Sequence, residues 1–109
     1  MNWKLIYLPE AAKDLKNLDG SQRVLVAKAI NKVLENPLPD FEGGYGKPLG
    51  NKSGNDLSGF LKIKLKNAGI RVVYKLIRTE TEMLVVVIGA REDSAVYDIA
   101  QHRSKKYSL

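Results

Sequence analysis

The stretch FLKIKLKNAGIRVVYKL, residues 60–76, constrains the fold more than any other part of the chain, because apolar and polar residues alternate on both sides of one turn signal. A period of two belongs to strands with one buried face, so the stretch predicts an antiparallel hairpin. The apolar residues alone set its register. Leu61, Ile63 and Leu65 share a face with Ile70, Val72 and Tyr74 only if the loop is even, formed by residues 67–68 or 66–69. Either loop puts Lys64 directly opposite Arg71. Lys62, Lys64 and Arg71 then converge on one surface, with like charges opposed across the strands at a cost of a few tenths to about 1 kcal/mol.

The charge on this hairpin is unbalanced. Residues 60–78 hold Lys62, Lys64, Lys66, Arg71, Lys75 and Arg78 and no acid, whereas the whole chain has 18 Lys+Arg, 12 Asp+Glu and a formal charge of +6. The remainder is therefore neutral, and all the net charge sits in one segment. That is the footprint expected of a surface for a polyanion. A bland reading is also open, in which lysines keep a solvated strand face from pairing edge to edge. A purely structural hairpin, however, would gain by exchanging one cation for Glu.

At 109 residues the chain predicts a single domain, residues 1–109, able to bury a modest core. It has no cysteine and one histidine, His102, so no disulfide framework, thiolate site or conventional zinc site is expected, and no cofactor is implied. It has no apolar run long enough to span a bilayer, and its start, MNWKLIYLPE, lacks the pattern of a signal peptide. A cytoplasmic protein without membrane association is expected.

Around the hairpin, WKLIYL (3–8) predicts a strand, and Pro9 suits the first turn of a following helix. Ala11, Leu15 and Leu18 mark the inner face of that helix, and Gly20 its stop. Ser21 is the expected cap of a second helix with Val26, Ile30, Val33 and Leu34 inward, closed by Asn36 and Pro37. Residues 37–59, with three prolines and six glycines, read as a long surface loop. MLVVVI, within residues 82–89, predicts a strand covered on both faces. A short helix over 94–102 would turn Val96, Ile99 and Ala100 inward and Tyr97 outward, and the basic tail 103–109 is expected to fray. The sum is an α+β domain: N-terminal strand, helical hairpin, three-stranded antiparallel sheet and C-terminal helix, with helices on one face of the sheet. Arg91, at the exit of the last strand, and Tyr97 could both approach the cationic face.

LKIKLKNAGIRVVYKLI followed by VVVIGAREDSAVY resembles the RelE branch of the RelE/ParE toxin superfamily, over most of the chain. The resemblance implies a RelE-like fold and the toxin of a type II toxin–antitoxin system, a ribosome-dependent endoribonuclease that cuts mRNA in the small-subunit decoding site. It also implies a RelB-like antitoxin as partner. Residue by residue, it implies catalytic roles for Lys62, Lys64, Arg71, Arg91 and Tyr97. Lys62 and Arg71 would hold the scissile phosphate, and Lys66 and Lys75 would steer RNA from the periphery. Lys64 is then the candidate base, Arg91 the stabiliser of the leaving group, and Tyr97 a residue that stacks on a base or orients the 2′-OH. Where the family has a further basic residue before the tyrosine this chain has Asp93, and its Gly-rich loop is longer. A ParE-like gyrase inhibitor and a non-catalytic basic RNA-binding module are the alternatives.

Overall fold

The computed structural model describes residues 2–52, 54–90 and 95–109. Among these, the order is β1 (Lys4–Tyr7), α1 (Pro9–Lys16), α2 (Gly20–Leu34), β2 (Lys47–Lys52), β3 (Asn55–Leu65), β4 (Ile70–Ile77), β5 (Glu82–Ala90) and α3 (Ala95–Lys106). Short 3-10 turns occupy Asp40–Glu42 and Arg78–Glu80. One five-stranded sheet runs β1-β5-β4-β3-β2, antiparallel except for the parallel β1–β5 pair. The α+β class is as expected.

The hairpin register is also as expected. Lys64 pairs with Arg71, Ile63 with Val72 and Leu61 with Tyr74, across a loop of residues 66–69 whose Gly69 takes a left-handed φ of 65°. Every position from Met83 to Ile88 of β5 is buried, as its unbroken apolar run requires. Val86 is the extra residue of a bulge, since Val73 pairs with Val87 but Tyr74 with Val85.

The helical hairpin forms with a different cap. Pro9 opens α1, but Gly20 is the first residue of α2 rather than the end of α1. The cap of α2 is Asp19, whose Oδ1 accepts from the Gln22 N–H at 2.8 Å and from Ser21 Oγ at 2.9 Å. A carboxylate suits the positive end of a helix better than a hydroxyl, which relegates Ser21 to donor.

The segment 37–59 is not an unstructured loop. Residues 38–46 are knit by backbone bonds, Gly46 N to Leu38 O at 3.0 Å, Gly44 N to Pro39 O at 3.1 Å and Asp40 N to Gly46 O at 2.8 Å. β2 then pairs with β3, which itself begins at Asn55. Pro48 is tolerated because β2 is an edge strand, and Gly50, at φ 68°, sits where the register shifts. Two of the glycines are required by packing. A Cβ on Gly44 would strike the Leu38 carbonyl, and one on Gly46 the Tyr74 hydroxyl. That hydroxyl is buried and donates to Pro37 O at 2.9 Å, pinning the loop to the sheet, and burial pushes its pKa up. Gly46→Ala should therefore lower stability by about 1–3 kcal/mol, measured as an earlier urea midpoint at unchanged slope.

The tail does not fray. α3 runs to Lys106, and Lys106 Nζ and Tyr107 OH donate to the two Glu10 carboxylate oxygens at 2.7 and 2.8 Å. The hydrogen bond from Lys106, followed by that from Tyr107, lowers the Glu10 pKa to about 2. Arg103 reaches further in. β1 stops opposite Val85, and among the described residues no strand pairs with the outer edge of β5 beyond it. Asp14 of α1 accepts from Ile88 N at 3.1 Å, and Arg103 Nη1 donates to Val86 O at 2.9 Å and to Asp14 Oδ2 at 2.6 Å. An ion pair thus completes a strand edge that no described strand covers.

Candidate nucleic-acid interface

Because β3 and β4 pair at Lys64 and Arg71, the polar face of the hairpin carries Lys62, Lys64 and Arg71 side by side. β2 adds a fourth cation, since Lys47 pairs directly with Lys62. Lys47 was not legible as a site residue because a strand with Pro48 and Gly50 shows no alternation.

Arg71 is half-buried, and its Nη1 donates to the Tyr97 hydroxyl, with Cζ 5.4 Å from the Tyr97 ring centroid. Its Nε is buried with no acceptor among the described residues. Nor does a described carboxylate form an ion pair with Arg71 or Lys64. A guanidinium with a spare buried donor and like charge opposite it suits an anion that supplies two oxygens.

Tyr97 is placed otherwise than expected. It is only 4% exposed whereas Ile99 is 40% exposed, so the inward face of α3 is Val96, Tyr97 and Ala100. Burial on Gly89 and the sheet outweighs the apparent stripe, because Gly89 leaves room into which Val96 packs. The ring is thus turned into the protein rather than towards solvent, and its hydroxyl accepts from Arg71. Arg91 and Asp93 lie outside the described residues. Lys66, in the turn, is exposed beside Lys64. Lys75 is drawn away, with Nζ 5.1 Å over the Phe60 ring.

A groove of about 430 Å³ lies on the β2 side of this face, lined by Tyr45, Lys47, Lys62, Ile63, Lys64, Lys66 and Asn67. A second cavity, about 500 Å³ between Phe41, Phe60, Leu76 and Ile77, is mostly apolar and lies away from Arg71. Among the described residues no three His, Cys, Asp or Glu side chains cluster to hold a metal ion, and no helix is long and apolar enough to cross a membrane.

The fold is an α+β sheet with a face that carries Lys47, Lys62 and Lys64 beside an arginine–tyrosine pair. No protein-family model matches the chain. It is similar to the mRNA interferase toxin RelE of Escherichia coli strain K12, 30% identical over 103 residues that span 94% of this chain and 98% of the relative. The free double arginine-to-alanine variant of E. coli RelE superposes at a TM-score of 0.74, with 28% identity, covering 94% of this chain and 98% of that one. The toxin in the intact E. coli RelBE toxin–antitoxin complex gives 0.63 at 26% identity, covering 84% and 99%. The chain belongs to the RelE family of toxins.

Proposed function

We propose that this protein is the toxin of a type II toxin–antitoxin pair and an endoribonuclease that cleaves mRNA in the ribosomal decoding site. The observation that carries the reading is Arg71, half-buried, bonded to Tyr97, holding a buried Nε without an acceptor among the described residues and facing Lys64, with no described carboxylate paired to either. The name of the E. coli relative, mRNA interferase, supports the same chemistry.

Cleavage begins when the 2′-OH loses its proton to Lys64 in its neutral form and attacks the adjacent phosphorus. Arg71, through Nε and Nη2, and Lys62 hold the phosphate oxygens as charge grows on them. Tyr97 keeps the Arg71 plane in place, and as the bond from phosphorus to the 5′-oxygen breaks, Arg91 stabilises the departing oxygen, which takes its proton from solvent. The products are a 2′,3′-cyclic phosphate and a 5′-OH end. The scheme is metal-free, because a cluster of cations has the wrong sign to seat a divalent ion. It lacks a strong base, so its rate depends on a partner that bends the RNA into line, a task the ribosome performs. A RelB-like antitoxin is its partner, a reading supported by the toxin–antitoxin complex solved for RelBE of E. coli, and it would neutralise the toxin by covering or distorting the cationic face. The reading places it in the cytoplasm, where translating ribosomes are.

Primer extension on mRNA from programmed ribosomes should show cuts within the codon in the decoding site, and far fewer on the same mRNA alone. Intact mRNA together with inhibition of gyrase supercoiling would overturn the reading.

A further inference from the structure

Among the described residues, no strand pairs with the edge of β3 facing β2 beyond Lys62, because β2 begins at Lys47. The groove of about 430 Å³ occupies this notch, and Tyr45 stands on its other side. Tyr45 is 48% exposed and lies between Gly44 and Gly46, so no neighbouring side chain in the sequence shields it. It is nonetheless held firmly. Its N–H donates to Asn36 O at 3.0 Å, the adjoining glycines bond to Leu38 and Pro39, and Lys32 Nζ sits 5.1 Å over its ring. A preorganised, exposed aromatic ring among lysines is the combination that binds single-stranded nucleic acid, where a base stacks and cations track the backbone.

We propose that Tyr45 is a stacking platform for an unpaired nucleobase, with Lys47 and Lys66 on the phosphate of the same nucleotide. This inference rests on the ribonuclease reading and extends it to a second subsite. With strands about 4.8 Å apart, the notch lies roughly 10 Å from Arg71. It therefore serves a nucleotide next to the cleaved phosphate rather than that phosphate itself. An added peptide strand is a poorer fit, since the open edge of β3 ends within three residues at Leu65.

The test measures affinity of the full chain for a short 2′-O-methyl oligouridylate, which cannot be cleaved, and for heparin, a polyanion without bases. Tyr45→Ala should bind the oligonucleotide about tenfold more weakly, Tyr45→Phe should bind as the parent does, and heparin affinity should not change in either. If Tyr45→Ala binds the RNA normally while Arg71→Ala is weakened, the subsite falls and the ribonuclease reading stands. If Arg71→Ala also binds normally, both fall. Equal losses for RNA and heparin would make Tyr45 a structural residue and overturn the stacking role. Tyr45-dependent binding of polyglutamate in place of RNA would assign the notch to an acidic protein and overturn it too.

Discussion

Arg71→Ala should slow mRNA cleavage on programmed ribosomes by roughly 10²–10³-fold, about 3–4 kcal/mol of transition-state stabilisation. The guanidinium combines a spare buried donor with the Tyr97 bond that aims it, and alanine removes both. Truncation also leaves the Tyr97 hydroxyl without that partner, a loss of about 1–3 kcal/mol in stability if it stays unsatisfied. Single-turnover rates must therefore be read beside a thermal melt of each variant. Arg71→Lys separates the contributions. It keeps the charge but offers one compact ammonium in place of a planar fork, so its rate should fall between parent and alanine. A folded Arg71→Ala protein cutting at the parental rate would remove Arg71 from the mechanism.

The largest effect on stability is expected at the clasp between α1 and α3. Asp14 and Arg103 side chains are 20% and 14% exposed, and between them they serve the Ile88 N–H and the Val86 carbonyl. Arg103→Ala leaves the Asp14 charge and a strand carbonyl without their partner, which should destabilise the fold by about 3 kcal/mol. In a domain of this size that lowers Tm by on the order of 10–20 °C. The double variant Asp14→Ala/Arg103→Ala should lose less than the sum of the singles, with a coupling of about 1–3 kcal/mol. Strictly additive losses would show that the two act separately. α3 carries Tyr97, so the clasp also holds the arginine–tyrosine pair against the sheet.

Much of the site was legible because it lies in consecutive residues. Alternation in residues 60–76 determined the pairing of Lys64 with Arg71, and the unbroken run in β5 marked a strand covered on both faces. α1 and α2 were legible from spacing, although the cap passed from Ser21 to Asp19 once the carboxylate met the helix end. β2 was hidden, because Pro48 and Gly50 erase any period and the strand exists only through its bonds to β3. Lys47 and Tyr45 were hidden with it. The inward turn of Tyr97 was missed because Val96, Ile99 and Ala100 offered an equally apolar stripe on α3.

By itself, then, the sequence determined the hairpin, its register and the charged face it presents, since these depend on neighbours along the chain and on a strict period of two. Only the tertiary structure decided which groups complete that face and hold it. Arg103 closing the β5 edge, Asp14 joining it and Tyr97 aiming Arg71 all link residues far apart in the chain. Such contacts leave no local period, because burial and unpaired backbone groups select them only when the elements meet.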